Sequence, residues 1–157
     1  MNKIYKTYYE SEIGILEISG NAEGIVSIIY VDEVPEVIEV PVCLEKCLRQ
    51  IDEYFKGKRM EFTLDLLPQG TDFQLNIWGK LREIPFGKTV SYADIAQAAG
   101  NKKAVRAVGG ANGRNRINIV IPCHRVIGKN GTLTGYGGGL WRKEWLLNHE
   151  KKFVEKL

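Results

Sequence analysis

Apolar and polar residues alternate along three short stretches near the start of the chain. Residues 4–9, 13–19 and 24–31 are rich in Ile, Val and Tyr, and short segments of Glu, Ser, Gly and Asn separate them. Branched and aromatic side chains fit the pleated surface of a strand, and Gly and Asn favour the turns between strands. The pattern therefore predicts an antiparallel meander of three strands.

Helical spacing replaces this alternation after Pro41. Apolar residues recur every three to four positions over residues 42–55 and stop before Gly57, which predicts an amphipathic helix. Residues 60–66 are then predicted to return as one more strand. Residues 67–70, with one proline and one glycine, form the next connector.

A domain boundary is predicted at this connector, so that the domains are residues 1–70 and 71–157. Thr71 can cap a helix whose apolar positions extend to Leu81 and which ends near Pro85. No internal repeat or low-complexity segment interrupts either domain.

Two short helices joined by a glycine turn are predicted after Val90. Ser91 and Asp94 have the spacing of a capping box, Gly100 ends the first helix, and residues 102–108 suit a second helix. This is the helix-turn-helix pattern of many DNA-binding proteins, although similar hairpins also occur in proteins that do not bind DNA.

Glycines follow in the second helix where base-reading side chains would be expected, at Gly109, Gly110 and Gly113. They permit either close packing inside the protein or close approach of the helix to DNA. In the second case Arg106 is the long side chain that can enter the groove or the base stack, and recognition rests on shape and phosphate contacts.

Composition places the chain among globular proteins of one or two domains. The 157 residues are 44% hydrophobic and 26% charged, and no apolar run approaches the length of a membrane span. The N-terminus lacks the apolar segment of a secretory signal, so we expect no membrane association and a cytoplasmic location.

Charge is distributed unevenly along the chain although the net charge is only +3. Residues 1–79 carry 7 Lys/Arg and 14 Asp/Glu, residues 80–116 carry 8 and 2, and residues 117–157 carry 7 and 3. A basic second half indicates a polyanionic partner, with nucleic acid as the first candidate. The alternative is a basic face that only contacts solvent.

The three cysteines do not suggest a disulfide framework or a metal site. Cys43 and Cys47 lie one helical turn apart and are expected in the core. Residues 1–79 contain no histidine, so we expect no zinc, and nothing in the sequence calls for a cofactor.

Cys123 and His124 stand side by side behind an apolar run. A thiol with a reference pKa of about 8.5 is mostly protonated at neutral pH, so a nucleophilic cysteine needs a nearby base or cation. The alternative is a small buried hydrophobe with a polar neighbour. His149 competes with His124 as the base because it precedes Glu150.

Several motifs, in order, resemble the O6-alkylguanine-DNA alkyltransferases over about residues 71–150. These are Pro85-Phe86-Gly87 with Ser91-Tyr92, Arg106-Ala107-Val108-Gly109-Gly110-Ala111, Asn115, Ile121-Pro122-Cys123-His124-Arg125, Gly135-Tyr136-Gly137-Gly138-Gly139 and Lys143-Glu144-Trp145-Leu146-Leu147. The resemblance implies an α+β fold, in which a small ribonuclease-H-like α/β N-terminal domain packs on a mostly helical C-terminal domain with a helix-turn-helix.

The resemblance also implies the reaction. The protein would flip O6-alkylguanine, and O4-alkylthymine, out of double-stranded DNA and transfer the alkyl group irreversibly to Cys123 in one SN2 step. It would act as a monomer, with several copies along one DNA as a further option. Each molecule would react once, because a thioether has no easy route back to a thiol.

Roles for individual residues follow from the same resemblance. Cys123 would be the acceptor, His124 a base acting through water, and Glu150 the carboxylate that orients the histidine. Tyr92 would donate a proton to the guanine, and Asn115 would brace the turns around the cysteine. Residues implied in DNA binding are Arg106, Tyr92, Ser91, Ala104, Gly109 and Arg114. Residues implied in the substrate pocket are Tyr136, Gly137, Gly138, Pro122 and Asn118.

Alternatives remain at the level of residues and of function. Tyr92 as a core aromatic, Asn115 as a turn residue and Glu150 as a surface charge are each consistent with the sequence. Asn118 and Gly137 stand where other members carry proline and serine, which bears on the alkyl groups accepted. The other functions are a non-catalytic sensor of alkylated DNA, in which relatives replace the cysteine, and a cysteine hydrolase that turns over.

Overall fold

A computed structural model describes residues 3–156 of the chain. The fold is α+β, as expected, and the chain forms two compact units. The first unit comprises the residues up to Gln69 together with residues 116–118, and the second comprises residues 70–115 and those from Ile119 onward.

Three strands form the sheet of the first unit, β1 (Tyr5–Ser11), β2 (Gly14–Asn21) and β3 (Gly24–Val31). They pair antiparallel in the order β1-β2-β3, which confirms the predicted meander. Helix α1 (Val42–Phe55) contacts the sheet, and its Leu44 and Ile51 are buried together with Leu16, Ile18 and Ile28 of the strands. The core of this unit therefore lies between one face of the sheet and one face of α1.

The strand predicted over residues 60–66 is wrong. The segment makes one isolated bridge, Leu66 to Ile25, and otherwise has no ladder. The buried amide of Gln50 binds Thr63 twice instead: its Nε2 donates to Thr63 Oγ1 at 2.7 Å, and its Oε1 accepts from Thr63 N at 3.0 Å. A side chain of α1 thus uses the backbone donor that strand pairing would need.

Five helical elements and two short strands form the second unit. They are α2 (Asp72–Leu81), β4 (Val90–Ser91), α3 (Tyr92–Ala98), α4 (Val105–Gly113), a 3-10 turn at Cys123–Arg125, β5 (Val126–Ile127) and α5 (Leu140–Val154). Strands β4 and β5 pair in parallel. This pairing brings the start of α3 beside the chain that follows Cys123.

Side-chain caps fix the starts of α2 and α3. Ser91 forms the predicted capping box with Asp94, and Thr71, which was predicted as a cap, forms a second capping box with Gln74. The predicted start of the second helix at residue 102 is wrong, because α4 begins at Val105. Asn101 holds the preceding residues in a turn: its side chain accepts from Lys103 N at 3.1 Å and its carbonyl accepts from Ala104 N at 3.0 Å.

Two further properties concern only residues 3–156. No helix there combines the length and apolar character needed to cross a membrane. No three His, Cys, Asp or Glu side chains of that range cluster as metal ligands do.

Cys47 is buried on α1, and burial raises the pKa of its thiol to about 12, so this thiol stays protonated.

Candidate active site

Cys123 lies in a sequence of tight turns. Ile119 has a φ of 73°, a left-handed conformation that is strained for a branched side chain. Pro122 has φ −81° and ψ 63°, and Cys123 N donates to Ile121 O at 2.8 Å, which is an inverse γ-turn. The 3-10 turn Cys123–Arg125 follows at once, so Cys123 and His124 lie in a turn and not in an extended strand.

The cysteine is only 4% exposed, and two asparagines hold its backbone. Asn115 donates from Nδ2 to Ile121 O at 2.8 Å, and Asn112 donates from Nδ2 to Cys123 O at 3.3 Å. Burial raises the pKa of the Cys123 thiol, while a hydrogen bond from Asn115 and the charge of Lys143 lower it. Asn115 thus braces the turn and also faces the sulfur, which a simple turn residue would not do.

His124 and Glu150 form a buried pair, with 0% and 1% exposure. Nε2 of His124 lies 2.6 Å from Oε2 of Glu150. An ionised carboxylate can only accept, so Nε2 carries the ring proton and Nδ1 is left as an acceptor. Nδ1 is buried and has no hydrogen-bonding partner among residues 3–156. Glu150 as a surface charge is therefore wrong.

Three further hydrogen bonds hold Glu150. Arg125 donates from Nε to Oε1 at 2.8 Å and from Nη2 to Oε2 at 3.1 Å, and Gly87 N donates to Oε1 at 3.1 Å. Burial alone would raise the pKa of Glu150, but His124 and Arg125 hold it well below its usual range. Burial lowers the pKa of His124; Glu150 opposes this, and the charges of Arg125 and Lys143 add to it. The pair therefore rests as carboxylate and neutral imidazole.

The other histidine, His149, lies elsewhere on α5. Its ring stacks on Trp145, with centroids 4.8 Å apart, and meets Phe153 edge-on at 4.9 Å. His124 is the histidine whose Nε2 lies 2.6 Å from Oε2 of Glu150. This geometry favours His124 as the base.

Lys143 is a site residue to which the sequence reasoning gave no role. Its side chain is 0% exposed, and Nζ donates to Val126 O at 2.6 Å, Thr134 O at 2.6 Å and Gly135 O at 3.1 Å. Burial lowers the pKa of Lys143 to about 8, and Cys123 opposes this. The signal was its spacing: Lys143, Leu146 and Glu150 recur at helical period, so one face of α5 is buried with a charge at each end.

Tyr92 lies beside the glycine-rich loop that precedes α5. It is half-buried rather than a core residue, and its hydroxyl donates to Thr134 O at 3.1 Å. A Cβ on Gly135 would lie 3.9 Å from this hydroxyl, and one on Gly137 would lie 4.0 Å from Gly113 O at the end of α4. The loop therefore faces both Tyr92 and the helix-turn-helix.

The other predicted pocket residues have separate places. Tyr136 is half-buried and its carbonyl accepts from Gly139 N, while Gly138 O accepts from Arg142. Pro122 is the centre of the γ-turn. Asn118 belongs to the first unit, where its amide donates to Ile28 O at 2.9 Å, and its described hydrogen bonds do not join the other site residues.

Helix α4 and the arginine that follows it present a basic and glycine-rich surface. Arg106 and Arg114 are exposed, Ala104 is half-buried at the start of α4, and the Ser91 hydroxyl is occupied in the cap of α3. A Cβ on Gly109, Gly110 or Gly113 would meet no atom within 4 Å. These glycines are therefore not required for packing against the described residues.

Comparison with known proteins identifies the family. Residues 72–152 match the family described as 6-O-methylguanine DNA methyltransferase, DNA binding domain, and residues 4–68 match the ribonuclease-like domain of the same family. The chain belongs to the 6-O-methylguanine DNA methyltransferase family. The resemblance predicted from its motifs is thereby confirmed.

Relatives of this methyltransferase family match along nearly the whole chain. A methylated-DNA--protein-cysteine methyltransferase of Methanosarcina acetivorans is 44% identical over 94% of this chain and 98% of its own length. One from Haemophilus influenzae is 45% identical over 99% and 92%. The crystal structure of Mycobacterium tuberculosis OGT in complex with DNA is 41% identical, with a TM-score of 0.87 over 94% of this chain and 93% of that one. The α+β fold and a DNA-binding domain are thus family properties of this chain.

Proposed function

We propose that this protein repairs alkylated DNA by moving the alkyl group from O6-alkylguanine to Cys123, once per molecule. One observation carries the proposal: a buried thiol is followed by a histidine whose Nε2 is held by Glu150 and whose Nδ1 has no partner in the described chain. A base with this tautomer can take the thiol proton. The family supplies the substrate class.

The proposed reaction is a single displacement. The thiol proton passes through a water to Nδ1 of His124, and the thiolate attacks the alkyl carbon. The bond from carbon to O6 breaks and O6 becomes a carbonyl. The guanine ring takes a proton from Tyr92, which regains one through solvent as His124 releases its own.

DNA binding supports this chemistry, because a base inside a duplex is out of reach of a buried thiol. The target must leave the stack and enter the pocket beside Tyr92 and the loop of Tyr136, Gly137 and Gly138. Arg106, exposed on α4, fills the space that the base leaves, and Arg114 contributes positive charge. All these residues come from the domain proposed over residues 71–157.

The wider setting follows from the same chemistry. A reactive thiol has to stay reduced, and the three cysteines are free, so we place the protein in the cytoplasm. It acts as a monomer on duplex DNA, and O4-alkylthymine is a second substrate. Asn118 has no part in the pocket in this proposal.

Intact-mass spectrometry tests the function directly. After incubation with duplex DNA containing O6-methylguanine, the protein should gain about 14 Da, one methyl, on Cys123, and Cys123→Ala should gain nothing. Lesion binding without a mass change would instead indicate a sensor of alkylated DNA. Repeated product formation with unmodified Cys123 would indicate a hydrolase.

A further inference from the structure

Arg125 is a buried guanidinium with all three of its nitrogens engaged. Nε and Nη2 donate to the two oxygens of Glu150, and Nη1 donates to Ile84 O at 2.6 Å. The guanidinium also lies over the ring of Phe86, 5.8 Å from its centroid. The planar fork of the guanidinium matches the two carboxylate oxygens and leaves a further N–H for a carbonyl, a fixed geometry that the single ammonium of lysine does not offer.

The loop after α2 completes the arrangement. Gly87 has a φ of 80°, which glycine tolerates, and its N–H donates to Oε1 of Glu150 at 3.1 Å. A Cβ at this position would come within 2.4 Å of Val154. The carbonyl of Ile84 and the N–H of Gly87, which belong to the same loop, thus hold Arg125 and Glu150 in place.

Each oxygen of Glu150 consequently accepts two hydrogen bonds. Oε1 accepts from Arg125 and Gly87, and Oε2 accepts from Arg125 and His124. A carboxylate facing His124 alone would concentrate its charge on the imidazole and favour the imidazolium, which cannot accept the thiol proton. Because the Arg125 guanidinium already pairs with the carboxylate charge, that charge favours protonation of His124 less strongly.

We propose that Arg125 is a positioning residue of the alkyl transfer: it keeps Glu150 ionised and fully hydrogen-bonded, so that His124 remains neutral and its Nδ1 can accept the thiol proton through water. The inference rests on the proposed function and adds a member to its proton-transfer group. The charged and titratable groups around His124 are Glu150 and Lys143 from α5, and Cys123 and Arg125 from the 3-10 turn.

The test compares Arg125→Met, Arg125→Lys, Glu150→Gln and the double variant Arg125→Met/Glu150→Gln. The measurement is the single-turnover rate of methylation of Cys123 on O6-methylguanine duplex, followed by intact mass from pH 5 to pH 9. Arg49→Met, an exposed arginine of α1, is the matched control. Thermal melting and affinity for the duplex are measured on each protein.

Arg125→Met should lower the rate about 10- to 100-fold, the range seen when a residue that orients an active-site group is lost. The acidic limb of its pH profile should move to higher pH, since His124 then faces an uncompensated carboxylate. The double variant should react no more slowly than Glu150→Gln, because Arg125 acts through Glu150. Arg125→Lys should react faster than Arg125→Met but more slowly than the unaltered protein. The control Arg49→Met should react at the rate of the unaltered protein.

The proposal would be overturned if the rate loss of the double variant were the product of the two single losses. It would also be overturned if Arg125→Met were slower at every pH but kept the acidic limb of the unaltered protein. If Arg125→Met does not fold, the double variant, which has no unpaired buried charge, decides by the same comparison with Glu150→Gln. If neither folds, Arg125→Lys decides: full rate and an unchanged profile would overturn the idea. Failure of the unaltered protein to gain a methyl would instead refute the function.

Discussion

Two opposing influences act on the pKa of the Cys123 thiol. Burial raises the pKa of Cys123, whereas Asn115 and the ammonium of Lys143 lower it. The Lys143 ammonium donates hydrogen bonds to three carbonyl oxygens, so the charge that lowers the thiol pKa is held in place. The pKa of a thiol that is only 4% exposed is thus lowered by a lysine 20 residues later in the chain.

Removing this ammonium should make the thiol less acidic. In Lys143→Met the pKa of Cys123 should rise, and each unit of rise lowers the thiolate fraction about ten-fold. Iodoacetamide labelling of Cys123 against pH, mapped by peptide mass without DNA, measures the change. Lys143→Arg, which keeps the charge, should stay nearer the unaltered protein; an identical labelling profile for Lys143→Met would remove the electrostatic role.

At the scale of elements, α4 combines poor helix formers with an open surface. A Cβ added at Gly109, Gly110 or Gly113 would meet no described atom within 4 Å outside the nearby backbone of its own helix, yet Gly109 and Gly110 weaken the helix interior. Glycine in a helix interior costs about 1 kcal/mol relative to alanine. Under the proposed function, close approach of the helix backbone to DNA accounts for these glycines, whereas packing within the protein does not.

Gly110→Ala should therefore stabilise the fold and impair repair. The free energy of unfolding should rise by up to about 1 kcal/mol, because alanine is the better helix former. Affinity for O6-methylguanine duplex should fall several-fold, while reaction with the free base O6-benzylguanine stays the same.

Gly79→Ala on α2 is the matched control, because this exposed glycine also has nothing within 4 Å. It should bring the same stabilisation without any loss of DNA affinity. A drop in stability of Gly110→Ala would show that α4 packs through this glycine after all.

At the scale of the molecule, the buried pair of the second unit makes stability depend on pH. The pKa of His124 lies below its ordinary value of 6.5 in the fold, so the unfolded chain binds a proton first as pH falls. The pKa of Glu150 also lies below its ordinary value of 4.5, with the same sign. Both groups contribute stability that is lost on acidification.

Unfolding by urea should accordingly become easier below pH 6.5, and more steeply below pH 4.5. Tryptophan fluorescence follows the second unit selectively, because Trp78, Trp141 and Trp145 all lie in it. Glu150→Gln should flatten the dependence below pH 4.5. Equal midpoints at pH 7 and pH 5 would contradict the neutral, buried state of His124.

Local patterns predicted the elements that depend on local physics. The meander, α1, α2 and the capping box of Ser91 and Asp94 follow from periodicity and from residues within one turn of each other. Segments decided by a distant or competing side chain were not predicted. Gln50 accepts the hydrogen bond from Thr63 N that strand pairing would need, and Asn101 holds Lys103 in a turn ahead of α4. Residues 116–118 join the first unit through β3, a pairing 90 positions apart in the chain.

The sequence by itself determined the family, and it singled out Cys123, His124 and Glu150 as the candidates for acceptor, base and orienting carboxylate, because thiol, imidazole and carboxylate are the groups that this chemistry needs. Only the tertiary structure decided the turn at Pro122, the tautomer of His124 and the parts played by Lys143 and Arg125. Those depend on which buried donors meet which acceptors. Burial and hydrogen-bond geometry arise when α5, the 3-10 turn and the Gly87 loop pack together, and no local pattern encodes them.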